Sequence, residues 1–256
     1  MNRRTLIAHA LCIPTVFSIP SLAMAQTALD PHAEAMRLRD LLSRALGPRF
    51  LERPSPAWSS NAHRAAGEHG AVLPASALVV AVDRNPHVQE LMVMVAMEEG
   101  EWPVIGGCKI STGRPGGREH FKTPLGAFRN SSDILGFRAQ GTKNGYGIRG
   151  YGERGMRVWD FGWQNAEHAD GRINPSGMRL CMHATDPDRL EAKLGSTASE
   201  GCVRLPAGMN RFLDFNGVID RDYEEAARTD RRFAALLRQD RTPTPMAGNH
   251  LIVFES

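Results

Sequence analysis

From Ala75 onward the chain breaks into short runs rich in β-branched and other apolar residues. These are Ala77 to Val82, Glu90 to Met97 and Val104 to Ser111, parted by Asn85-Pro86 and Glu99-Gly100. Runs of this length, punctuated by turn formers, predict strands in a meander rather than helices. Further strands are expected over Gly126 to Arg129, Arg157 to Phe161, Met178 to Met182 and His250 to Phe254, and helices over 207 to 216 and 221 to 239. A chain of 256 residues with 42% apolar and 23% charged residues can bury a sizeable core. Between the strands, residues 136 to 177 are rich in glycine and carry Tyr146, Tyr151, Trp159, Phe161 and Trp163. Such a stretch suits either a substrate-facing lid or a long hairpin that packs its own rings.

The part before Ala75 has a different character. Arg3 and Arg4, an apolar run broken by Pro14 and Pro20, and Ala23-Met24-Ala25 before Gln26 together predict a removable signal peptide over residues 1–25. The apolar run is too short and too interrupted to span a bilayer. Asp30 followed by Pro31 is a good helix start, and Ala33, Met36, Leu41, Leu42, Ala45 and Leu46 recur at helical spacing up to Gly47-Pro48. Residues 52 to 74, with Pro54, Pro56, Gly67, Gly70 and Pro74, read as a linker. The expected organisation is thus a signal over 1–25, a helical extension and linker over 26–74, and a main domain over 75–256.

Charge and cysteine content narrow the function. Loss of the leader with its two arginines takes the formal charge from +3 to +1. That balance lacks the concentrated basic face of a nucleic-acid binder. Cys108, Cys181 and Cys202 remain, an odd number, and in an oxidising compartment at least one thiol stays unpaired. A Cys108 to Cys181 disulfide and two separately buried thiols are both compatible with the sequence.

The chemistry gathers between His183 and Arg204. A free thiol has a pKa near 8.5, so a neighbouring base is needed to raise its thiolate fraction at neutral pH, and His183 can supply that base for Cys202. A nearby backbone carbonyl, such as that of Ala184, would fix the imidazole tautomer without an acidic side chain. Gly201 permits a tight turn before Cys202 and lets a substrate carbonyl approach main-chain amides that stabilise an oxyanion. Arg204, two residues on, would share a side with Cys202 in an extended backbone and either orient a carboxylate or buttress the loop. A zinc site would need at least three convergent ligands, and no CxxC or HExxH companion accompanies His183 and Cys202.

His183, fifteen residues, then Ser199-Glu200-Gly201-Cys202-Val203-Arg204 resembles the signature of the L,D-transpeptidase (YkuD-type) catalytic domain. Upstream, Ile110-Ser111-Thr112-Gly113 and Lys122-Thr123-Pro124-Leu125-Gly126-Ala127-Phe128 are similar to that family's Ser-Thr-Gly strand end and Thr-Pro-x-Gly-x-Phe segment. The resemblance implies a mainly β fold, sandwich- or barrel-like, with an N-terminal helix and C-terminal helices. It implies a periplasmic cysteine acyltransferase that takes peptidoglycan stem peptides as donor and acceptor, needs no metal or organic cofactor, and is a carbapenem target. By motif, Cys202 is the nucleophile, His183 the general base and acid, the backbone near Gly201 and Cys202 the oxyanion site, and Ser199 and Arg204 supporting residues. A hydrolase of the same Cys/His type, trimming stem peptides or releasing wall-attached protein, shares every one of these residues. Two positions depart from the commoner pattern, Ala184 after the histidine and Glu200 before the glycine. A carboxylate at 200 opposes thiolate formation unless it pairs with a cation such as Arg204 or with a substrate amine.

Overall fold

A computed structural model describes residues 30–52, 57–116 and 119–256. The expected signal peptide, with Cys12, lies outside the described residues. The first helix, α1 (Pro31–Leu46), begins where Asp30 accepts a hydrogen bond from the His32 N–H at 2.9 Å, and it ends at Gly47 with φ 52°. Leu38, Leu42 and Leu46, one helical turn apart, form its buried stripe.

Two mixed sheets form the body. The first contains β1 (Leu78–Asp83), β2 (Glu90–Val95), β3 (Val104–Lys109), β4 (Gly126–Arg129) and β9 (His250–Phe254), in the order β3-β2-β1-β9-β4. The second contains β5 (Phe137–Arg138), β6 (Arg157–Glu167), β7 (Ile173–Ala184) and β8 (Val203–Leu205), in that order. Pairing is antiparallel except for β1 with β9 and β7 with β8.

The strands are continuous apolar runs because both faces of the first sheet are covered. Val80, Val82, Leu91, Val93, Leu251 and Val253 meet Phe161, Leu180, Met182, Val203 and Leu205 of the second sheet in the main core. The alternate residues Val79, Ala81, Met92, Met94, Ile252 and Phe254 form a separate cluster with Trp58, Ala62, Ala65 and Ala66. Those four belong to α2 (Trp58–Glu68), which occupies the stretch expected to be a linker. The outer sheet face needs an apolar cover, and α2 supplies it, with the Trp58 ring edge-on to Phe254 at 4.9 Å.

One more helix departs from expectation. The helix expected over 221 to 239 is broken into α4 (Arg221–Ala226) and α5 (Arg231–Leu236), because Asp230 leaves helical geometry and caps the second piece through the Arg232 N–H. The helix expected at 207 to 216 is α3 (Ala207–Phe215), which packs with α1. Cys108 and Cys181 are both free. Cys108 sits in the core between the sheets, whereas Cys181 is on β7 outside that cluster, so the two do not pair. Among the described residues no helix is long and apolar enough to cross a membrane.

Most of residues 157–177 is the long β6–β7 hairpin, the second of the two arrangements weighed for the glycine-rich stretch. Its earlier part, 139–156, is a loop that reaches the site. Gly152 at φ 83° passes so close to Ala184 that an added Cβ would lie 2.7 Å from the Ala184 Cβ, and Tyr151 is thereby delivered to His183.

Candidate active site

Strand β7 runs past the expected Met182 to Ala184, so His183 is held by ladder pairing on both sides, opposite Val158 of β6 and Arg204 of β8. Side chains alternate along a strand. Leu180 and Met182 enter the core, and Arg179, Cys181 and His183 line the other face.

His183 is buried, and its Nδ1 lies 2.8 Å from the Ala184 carbonyl oxygen. A carbonyl can only accept, so Nδ1 carries the proton and Nε2 is left with its lone pair. The ring edge of Tyr151 meets the imidazole at 4.7 Å and 72°. Cys202 is half-buried at the mouth of β8, its Sγ 3.7 Å from the Arg179 carbonyl oxygen. A hydrogen bond from the Cys181 thiol holds the Cys202 thiol well below its ordinary range. Desolvation opposes this, and a hydrogen bond and positive charge from His183 add to the lowering. Cys181 moves the opposite way, raised by the same bond to Cys202, by burial and by the charge on Cys202. Of the two sulfurs, Cys202 is therefore the one that ionises.

The turn before Cys202 is clipped from two sides. Ser199, fully buried, donates its hydroxyl to the Cys202 carbonyl at 2.6 Å and accepts the Gly201 N–H at 3.1 Å. The Gly201 amide is therefore engaged, whereas the Cys202 N–H finds no protein acceptor among the described residues. Thr123, also buried, accepts the Gly113 N–H at 2.9 Å and donates to the Gly201 carbonyl at 2.6 Å. The Ser199 N–H bonds to the Thr112 carbonyl at 3.0 Å and the Arg114 N–H to the Ser199 carbonyl at 2.9 Å. The Ser-Thr-Gly end, the Thr-Pro segment and the Gly-Cys turn, far apart in sequence, are thus one hydrogen-bonded unit. Glycine is favoured at 201 because its φ of 139° is a backbone conformation that other residues rarely adopt.

Arg204 buttresses rather than faces the thiol. Its Nη1 donates to the Ala198 carbonyl at 3.0 Å, and the side chain lines a cleft of about 560 Å³ with Ser111, Arg114, Thr185 and Lys193, of which Cys202 is not a part. Glu200 is exposed and forms no ion pair among the described residues, so the pairing with Arg204 is not made. No three His, Cys, Asp or Glu side chains cluster as a metal site would require, among the described residues.

Three contributors were not singled out from sequence: Cys181, Tyr151 in its contact with His183, and the bridging role of the Thr123 hydroxyl. The Thr-Pro motif marked Thr123 without showing what its hydroxyl bonds.

The model of the L,D-transpeptidase catalytic domain (YkuD) matches residues 79–219. No curated protein matches the chain. Among solved structures, the chain is similar to a fused Zn-dependent amidase/peptidase/peptidoglycan-binding domain-containing protein from Clostridium acetobutylicum, at 13% identity and a TM-score of 0.28. The match covers 80% of this chain and spans 64% of that one.

Proposed function

Because the chain belongs to the L,D-transpeptidase catalytic-domain family, we propose that it is an exported enzyme that cross-links peptidoglycan stem peptides through a cysteine thioester. The observation that supports this most is the pairing of a lowered Cys202 thiol with His183, whose Nδ1 is engaged by the Ala184 carbonyl. An ordinary thiol is only a few per cent ionised at neutral pH, so the lowering raises the share of the sulfur in its nucleophilic form.

The Cys202 thiolate attacks a stem-peptide carbonyl at an L-configured centre, and the Cys202 N–H receives the charge that develops on the oxygen. His183, holding the thiol proton on Nε2, passes it to the departing amine, typically that of D-Ala, and a thioester remains. The side-chain amine of a diamino acid in a second stem then attacks the thioester. His183 takes the proton from that amine, the new amide forms and the thiolate is released. Ser199, Thr123 and Arg204 hold the turn and its flanking loop, and they exchange no proton with substrate. Two steps with a covalent intermediate replace one difficult acyl transfer.

The test is incubation of the protein, and of Cys202→Ala, with defined muropeptides, read by product mass. Cross-linked dimers that require Cys202 are the expected result. Trimmed monomers alone would assign the same site to hydrolysis. No change with any stem peptide would overturn both activities.

A further inference from the structure

Strand β7 places a second sulfur against the catalytic one. The ladder pairs Met182 with Val203 and His183 with Arg204, so one step back along both chains Cys181 stands beside Cys202. Adjacent strands lie about 4.8 Å apart, inside the window of about 4.4–6.8 Å between Cα atoms that a disulfide accepts. Cys181 shares the Arg179 and His183 face of β7, and Cys202 Sγ is on that face, 3.7 Å from the Arg179 carbonyl oxygen. Cys181 is 5% exposed, so a reagent in solution meets Cys202 first. Cys108 belongs to the core between the sheets and is not part of this pair.

We propose that Cys181 is a resolving thiol for Cys202, and that hydroperoxides convert the two into a reversible disulfide that closes the catalytic sulfur. The Cys202 thiolate attacks one peroxide oxygen, the O–O bond breaks, and hydroxide leaves and is protonated to water. The sulfur is then a sulfenic acid, oxidised by two electrons, and the peroxide is reduced by the same two. Cys181 attacks that sulfur, its proton joins the departing hydroxyl as water, and the S–S bond forms. Overall, two thiols and one hydroperoxide give one disulfide and two molecules of water when the oxidant is hydrogen peroxide. The opposite displacements of the two thiols set the order of events, with Cys202 ionised and Cys181 held as S–H. Without a resolving partner a sulfenic acid exposed to further peroxide proceeds to sulfinic acid, which thiol reductants do not reverse.

The chain is treated with hydrogen peroxide, alkylated under denaturing conditions and cut with trypsin without reduction. Cleavage after Arg179, Arg189, Lys193 and Arg204 releases residues 180–189 with Cys181 and 194–204 with Cys202. Expected is a cross-linked pair of these peptides, about 2 Da lighter than their sum, together with a fall of about tenfold or more in Cys202 alkylation that dithiothreitol reverses. In Cys181→Ser the 194–204 peptide should instead gain about 32 Da and resist dithiothreitol. Four results would overturn the proposal: unreacted thiols at both positions, sulfinic acid at Cys202 beside a free Cys181 in the unmodified sequence, a cross-link containing Cys108, or oxidation of Cys181→Ser that dithiothreitol fully reverses. Peptide mapping of the unmodified sequence decides the matter even where a variant fails to fold. The readout is sulfur chemistry, so its outcome is independent of whether muropeptides are cross-linked.

Discussion

Replacing Thr123 by valine keeps the shape of the side chain and removes one hydroxyl that serves two buried groups. The Gly113 N–H loses its acceptor at 2.9 Å, and the Gly201 carbonyl loses its donor at 2.6 Å. Leaving a buried polar group unpaired costs about 1–3 kcal/mol, so with two such groups Thr123→Val should destabilise the chain by about 2–6 kcal/mol. For a protein of this size each kcal/mol lowers the melting midpoint by about 2–4 °C, giving a fall of roughly 4–24 °C. Thr123→Ser keeps both bonds and gives up one methyl group, for a cost of about 1 kcal/mol. Because Gly201 immediately precedes Cys202, the loosened turn should also weaken the hold on the thiolate, and each unit of rise in its pKa lowers the alkylation rate below that pKa up to about tenfold. Urea unfolding and iodoacetamide labelling of Cys202 at pH 7 measure the two effects. Thr123→Val within about 0.5 kcal/mol of the unsubstituted protein, with unchanged labelling, would refute the claim that this hydroxyl joins the three motifs.

Behind β6, the fully buried Asp220 accepts from Asn130, Arg157 and Trp159 at 3.1–3.4 Å through Oδ1 and from Arg241 at 2.9 Å through Oδ2. Asp220→Asn leaves the buried Arg157 without its counter-charge and Arg241 with Glu224 alone, and should cost about 3–5 kcal/mol in urea unfolding; a loss below about 1 kcal/mol would show that Arg157 finds another partner. Trp58→Ala strips the outer face of the first sheet and should cost about 3–5 kcal/mol, whereas a peripheral linker would give almost no change. Burial, with Arg129 and Arg221 nearby and Asp222 opposing, lowers the pKa of His250 to about 4. The unfolded chain takes up this proton near pH 6.5 and the folded chain only near 4, so stability is full above about pH 6.5 and falls as pH drops towards 4. His250→Gln should flatten that window, and parallel stability curves for the two proteins would refute the assignment.

Strands at 78–83 and 90–95 were legible because burial on both faces writes an unbroken apolar run, and the Asp30-Pro31 start of α1 because its capping chemistry is local. Helix α2 was hidden by the prolines and glycines around it. Trp58, Ala62, Ala65 and Ala66 do form a helical stripe, but alanines carry little weight until a sheet face is known to need covering. Likewise Asp230 reads as one more polar residue of a helix until its side chain is seen to cap α5. The neighbourhood of His183 and Ser199 to Cys202 was marked by motif spacing. The position of Cys181 was not, because only the parallel register of β7 and β8 brings residues 181 and 202 together. Cys108 points into the core between the sheets and Cys181 lies outside that core, which is why the disulfide considered between them does not form.

Cys181 and His183 together hold the Cys202 thiol below its ordinary range. The rate of iodoacetamide alkylation at Cys202 measured across pH tests it directly. The rate should level off well below pH 8.5, with the midpoint moving up in His183→Gln and in Cys181→Ala. A single midpoint near 8.5, the same in all three proteins, would contradict it.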